Sequence, residues 1–148
     1  MAGLKSVAST AWNGDLAAGS GMVEFASGGI KNSPVSWASR TESANGKTSP
    51  EELVAASHSS CYAMAFAHTL TSGGHKPEHL FVTSTVDLQP KEGGGVQVVS
   101  SALQVRGKVP GLTQDEFAQF AAQAEQGCPI SNALRGNVQI TVDATLET

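Results

Sequence analysis

One stretch constrains this chain more than any other: "TSPEELVAASHSSCYAMAFAHTLTSGG", residues 48–74. Ser49 suits a helix N-cap, Pro50 the first helical position, and Glu52 the third, the spacing of a capping box. The helix it opens runs to about Ser72, where Gly73 and Gly74 stop it. Leu53, Ala56, Ser60, Met64, Ala67 and Leu70 share one stripe, but Val54, Ala63, Ala65 and Phe66 widen it until the helix is apolar nearly all round. Such a helix is normally buried. Its many Ala and Ser side chains would let a second helix approach closely.

The rest of the chain reads as strands on either side of that helix, with a second helix near the C-terminus. "LKSVASTAW" (4–12) and "GMVEFAS" (21–27) have strand character, and Gly28–Gly29 marks a turn. "VSWASR" (35–40) alternates as a third strand that would end on Arg40. "LFVTSTVDLQP" (80–90) and "GVQVVSSALQVRGKV" (95–109) form a hairpin around "KEGGG". Thr113 and Glu116 repeat the capping-box spacing at the start of a helix that Gly127 would end. "NVQITVDATLE" (137–147) closes the chain as a strand. The 148 residues carry no internal repeat, so the expectation is one α+β domain over residues 1–148.

Composition narrows the function. A net charge of −4 and a pI near 5.5 leave no basic footprint for nucleic acid. The apolar window at 53–70 is broken by serines and two histidines, so no membrane span is expected, and the N-terminus has no secretory h-region. The thiols are therefore expected to be reduced, in a cytoplasmic protein.

There are two cysteines, Cys61 and Cys128, 67 positions apart and outside any C-x-x-C. Each is a packing residue, a metal ligand or a redox group, and spacing alone leaves all three open. Cys61 lies more than two turns into its helix, where the helix dipole does little for its pKa, so a reactive Cys61 needs an outside cation. Cys128, between Gly127 and Pro129, suits the N-cap of a short helix whose N–H groups would favour a thiolate. His58 and His68 stand three before and seven after Cys61, a spacing open to a zinc or cysteine–histidine site. Among the charges, Arg40 and Glu51 matter most. On their own they read as a solvated strand end and a first-turn acid. Ten residues separate Glu51 from Cys61, about 15 Å along a helix axis. Glu51 therefore reaches a Cys61 only if a second copy supplies it.

Taken together, "WNGDLAAGSG", "SPEELVAASHSSCYAMAF" and "GCPIS" resemble the OsmC/Ohr family of thiol peroxidases over essentially the whole chain, in order and spacing. The absence of arginine from residues 1–39 favours the OsmC branch. The resemblance implies an intertwined homodimer, antiparallel strands wrapped around long central helices, with active sites at the interface. It implies reduction of organic hydroperoxides, and less efficiently of hydrogen peroxide. Cys61 would be the peroxidatic cysteine and Cys128 the resolving one. Arg40, at the end of the third strand, would activate Cys61, and Glu51 would orient Arg40. An external dithiol would regenerate the enzyme, with no metal, flavin or haem. The histidines then have no role. Met64, Phe66, Phe25 and Trp37 are candidates to line an alkyl-binding pocket. "HSSCYAM" is richer in serine than the family's usual helix. The alternatives are a non-enzymatic small-ligand or stress-response protein on the same fold, and a metal-binding domain.

Overall fold

A computed structural model describes residues 2–148. The chain divides into two compact units, one ending at Leu53 and the other running from Val54 to Thr148. In the first, β1 (Ala8–Asn13), β2 (Ser20–Phe25) and β3 (Ser33–Val35) form an antiparallel sheet in that order. The expected third strand is cut short. After Val35 the chain turns into a helix, α1 (Trp37–Thr41), instead of continuing extended to Arg40. The reason is a capping box. Ser36 Oγ accepts from the Ser39 N–H at 3.1 Å, and Ser39 Oγ accepts from the Ser36 N–H at 3.0 Å. These bonds satisfy two of the N–H groups that a helix start leaves free. Arg40 thus sits in the last turn of a helix.

The long helix α2 (Pro50–Ser72) has the expected limits. Ser49 Oγ accepts from the Glu52 N–H at 3.1 Å, as expected of an N-cap. The Glu52 carboxylate, however, takes the Thr48 hydroxyl at 2.6 Å, so its capping-box half is diverted one residue upstream.

In the second unit, β4 (His79–Pro90) pairs antiparallel with β5 (Val96–Lys108) through the expected hairpin. Gly93, Gly94 and Gly95 all have positive φ there, a backbone that side chains oppose. β6 (Gln139–Leu146) pairs with β5 in parallel, giving the order β4-β5-β6. A parallel partner needs a crossover. α3 (Gln114–Gly127) and the short α4 (Pro129–Leu134) supply it. α3 starts on the expected box of Thr113 and Glu116. The hydrogen bonds from Thr113 hold the Glu116 carboxyl below the usual carboxylate range.

The core of this unit lies between the sheet and the helices. Tyr62, Phe66 and Leu70 of α2 meet Leu103 and Val105 of β5 and Phe117, Ala121 and Ala124 of α3, all essentially inaccessible. The rings of Tyr62 and Phe66 lie 5.7 Å apart, and those of Phe66 and Phe117 5.1 Å apart, in tilted contact. Tyr62 donates its hydroxyl to the Ala121 carbonyl at 2.8 Å, and burial pushes the phenol pKa up, keeping the donor protonated. The expectation that α2 is buried nearly all round does not hold within one chain. His58, Tyr62, Phe66 and Leu70, at four-residue spacing, form its covered face, while Ala56, Ser60 and Met64 stand exposed. Phe66 is core rather than pocket lining. Phe66→Ala is expected to destabilise the protein by about 3–5 kcal/mol, measured by denaturant unfolding.

Candidate active site

Arg40 and Glu51 meet within the first unit. Arg40 Nε and Nη2 both donate to Glu51 Oε1, at 2.9 and 2.8 Å. The local fold arranges this. The Thr48 N–H donates to the Pro34 carbonyl at 2.9 Å, and the Ser39 hydroxyl lies 3.0 Å from the Thr48 carbonyl. These bonds fix the start of α2 beside α1. Arg40 also lies over the Trp37 ring, 5.8 Å from its centroid, which restricts the guanidinium further. Glu51 is buried, and its second oxygen, Oε2, has no hydrogen-bond partner among the described residues. Such an orphan is costly unless something else supplies a donor. A cavity of about 480 Å³ opens beside this pair, lined by Trp12, Leu16, Val23, Trp37, Arg40 and Leu53, among others. Its lining is mostly apolar, with Ser9, Thr10, Ser36 and Arg40 as the polar residues. Of the expected pocket residues Trp37 is present there; Phe25 does not line it.

Cys61 and Cys128 meet within the second unit. Both are free thiols, and Cys61 packs against the core cluster that contains Cys128. Cys128 is fully buried, and Cys61 partly so. Cys128 is the N-cap of α4, as expected, but its side chain makes no capping hydrogen bond. The available N–H goes to the other sulfur: Ile130, in the first turn of α4, donates its backbone N–H to Cys61. Even so, the Cys61 pKa is raised. Burial is the main cause, the Cys128 thiol adds to it, and the Ile130 N–H only partly opposes them. Left to these neighbours, Cys61 is a protonated thiol and a poor nucleophile.

The serines around Cys61 are largely committed to their own helix. Ser57, Ser59 and Ser60 each donate to a backbone carbonyl three or four residues back. His58 is no bystander. It is fully buried, with Nδ1 2.6 Å from Ser101 Oγ and Nε2 2.8 Å from Ser131 Oγ. Burial lowers its pKa, with the nearby Glu125 charge opposing, so the ring is neutral at pH 7. Both nitrogens are occupied by hydroxyls, which removes the key ligand of a His58–Cys61 metal site. Among the described residues no three His, Cys, Asp or Glu side chains are grouped to hold a metal.

The sequence therefore marks four candidate site residues, and the fold gathers them into two pairs, one per unit. The sequence raises His58 only as a metal or cysteine–histidine candidate, and it does not mark Ser101 or Ser131. The available signal was positional: His58 stands one turn before Cys61 and Ser131 one turn after Cys128.

The OsmC-like protein family profile matches residues 43–143. The chain is 34% identical over 136 residues to the peroxiredoxin OsmC of Escherichia coli, covering 92% of each chain. It is 33% identical over 96 residues to the organic hydroperoxide resistance protein of Xanthomonas axonopodis pv. citri, covering 64% of this chain and 65% of that one. Among solved structures, it superposes on an organic hydroperoxide resistance protein OsmC of Legionella pneumophila with a TM-score of 0.76. That match has 26% identity and covers 98% of this chain and 99% of the other.

Proposed function

The chain belongs to the OsmC family, and on that basis we propose that it is a cysteine-dependent peroxidase that reduces organic hydroperoxides to alcohols. The observation that carries this is the thiol pair. Two cysteines 67 positions apart, the only two in the chain, are brought together by the fold: Cys61 packs against the core cluster that contains Cys128, and the Cys128 thiol is close enough to raise the Cys61 pKa. The relatives named above as a peroxiredoxin and as hydroperoxide resistance proteins support the same chemistry.

The Cys61 thiolate attacks the distal peroxide oxygen. The O–O bond breaks, Cys61 becomes a sulfenic acid, and the alkoxide leaves as alcohol after taking a proton. The Cys128 sulfur then attacks Cys61, water leaves, and a Cys61–Cys128 disulfide forms. An external dithiol reduces that disulfide by thiol exchange and restores both thiols. Hydrogen peroxide follows the same course less efficiently. It has no alkyl group for the apolar cavity beside Arg40 to bury.

Because its neighbours raise the Cys61 pKa, the mechanism requires a cation. Arg40, fixed by Glu51, is suited to that role, with a permanent charge and several N–H donors that can hold a thiolate and a peroxide oxygen together. Glu51 and Cys61 are ten residues apart on α2, so the catalytic set is completed in a homodimer, with Arg40 and Glu51 of one copy serving Cys61 of the other. Three features support this. Among its described large apolar residues the first unit buries only Val23 and Val35, while Trp12, Leu16, Met22 and Ile30 are exposed. Met64, on the uncovered face of α2, is 68% exposed. Glu51 Oε2 lacks a donor among the described residues. The whole chain then acts as a single module, working in the cytoplasm, where the reducing environment keeps its thiols free between turnovers.

The test is a thiol count. One equivalent of an alkyl hydroperoxide per chain is expected to consume both thiols and yield an intramolecular disulfide. Persistence of two free thiols would refute the peroxidase. Steady-state turnover with a dithiol reductant separates an enzyme from a non-enzymatic binding protein on the same fold.

A further inference from the structure

The imidazole of His58 joins three elements of the second unit. On one side it meets Ser101 of β5, whose hydroxyl is in turn 3.0 Å from Ser84 Oγ of β4. On the other it meets Ser131 of α4. A neutral imidazole offers one donor and one acceptor. Each is used here, in a site closed to solvent, since His58, Ser101 and Ser131 are all fully buried. A hydrogen bond in such surroundings is stronger than in water, and leaving either partner unpaired is costly.

The placement of this link relative to the sulfurs is what gives it a function. His58 lies one turn before Cys61 on α2, and Ser131 one turn after Cys128 on α4. The ring therefore spans the same two helices as the thiol pair, one turn away. α4 has six residues and no side-chain cap at its N-terminus, too few for a helix that holds itself in place. Its other polar tether leads elsewhere: Arg135, just past its end, pairs with Glu125 of α3. Apart from the Ile130 N–H at Cys61 itself, the strut between α4 and the helix that carries Cys61 is the hydrogen bond of His58 to Ser131.

We propose that His58, through Ser131, is a positioning residue for disulfide formation, holding Cys128 within bonding distance of Cys61. This rests on the peroxidase proposed above. The step it serves is Cys61–SOH + HS–Cys128 → Cys61–S–S–Cys128 + H2O. The Cys128 sulfur attacks the Cys61 sulfur, the S–O bond breaks, and the departing hydroxide takes the thiol proton to give water. The two-electron oxidation was already supplied by the hydroperoxide, so no further oxidant enters. His58 touches neither reacting sulfur in this scheme. It fixes the backbone that carries one of them.

The experiment compares wild type with His58→Ala, Ser131→Ala, Ser131→Thr and the double alanine variant. Each is given one equivalent of cumene hydroperoxide, then quenched and alkylated at intervals. Consumption of hydroperoxide is expected to stay near the wild-type rate. Disulfide appearance should slow by about tenfold to a hundredfold in either alanine variant. The double variant should be no slower than the worse single one. Ser131→Thr, which keeps the hydroxyl, should resolve like wild type. A second measurement omits peroxide altogether: equilibration of the Cys61–Cys128 pair against glutathione should show the disulfide weakened by about the same factor in the alanine variants. Thermal melts identify variants that are merely unfolded, and if His58→Ala fails to fold, Ser131→Ala decides. Folded variants with wild-type resolution and a wild-type glutathione equilibrium would overturn the proposal. If wild type consumes no hydroperoxide the peroxidase falls, while the glutathione equilibrium still reports separately on His58.

Discussion

Replacing Cys61 with serine is expected to bring hydroperoxide reduction down to the uncatalysed background, a loss of at least about 10⁴-fold. The side chain changes by one atom, yet the reaction needs an anion that breaks an O–O bond, and a serine hydroxyl does not ionise near neutral pH. Packing cannot account for the loss, because Cys61 is only partly buried and serine is slightly smaller. The melting temperature should move little. Cys128→Ser makes the informative contrast. It leaves the first chemical step intact, so the first equivalent of hydroperoxide is still consumed, and a Cys61 sulfenic acid accumulates that a dimedone-type probe captures. Cys128 is fully buried beside Cys61, so no other thiol of the chain can replace it. Normal cycling of Cys128→Ser with a dithiol would show that resolution comes from outside the chain. Full activity of Cys61→Ser would overturn the mechanism.

The parts of this fold that could be seen in the sequence are those whose causes are local. The start of α2 was visible because Ser49, Pro50 and Glu52 carry a positional code, and Gly93–Gly95 announced the hairpin because only glycine tolerates that backbone easily. α1 was missed because "VSWASR" also satisfies a two-residue alternation. The Ser36–Ser39 spacing that closes its capping box lacks the Glu or Gln that usually marks such a box in a sequence. Which face of α2 is covered could not be read, since apolar residues surround it. The choice is made by Leu103, Val105 and Phe117, far along the chain. The same holds for the site. The meeting of Cys61 with Cys128, and of Arg40 with Glu51, was available only through family resemblance. His58 reads in the sequence only as a possible metal or cysteine–histidine residue because its true partners, Ser101 and Ser131, lie 43 and 73 positions away. The sequence placed the helix N–H at Cys128, whereas α4 directs the Ile130 N–H to Cys61. Once a short helix is packed, its neighbour's position decides which sulfur its amides meet.

Arg40→Met is expected to lower kcat/KM for an alkyl hydroperoxide by about 10²–10³-fold at neutral pH. Methionine keeps much of the side chain's apolar bulk beside Trp37 and the cavity while deleting the charge and its donors. The sign of the pH dependence follows from the same charge. Burial and Cys128 push the Cys61 pKa up, and a guanidinium pulls it down by favouring the thiolate. Without Arg40 the thiolate forms only at higher pH, so the rate profile should shift to the alkaline side and part of the loss should return there. Loss of the cavity alone would lower the rate equally at every pH. Whether Arg40 acts within its own chain or across a dimer is decided by mixing. Arg40→Met chains keep Cys61, and Cys61→Ser chains keep Arg40. If the site is shared, each mixed dimer contains one intact site and one doubly defective site. Random 1:1 assembly of the two inactive variants should then recover about a quarter of wild-type activity. If Arg40 serves the cysteine of its own chain, no pairing of these variants contains an intact site, and the mixture stays as inactive as its parents. A strictly monomeric protein that turns over normally would equally rule out the shared site.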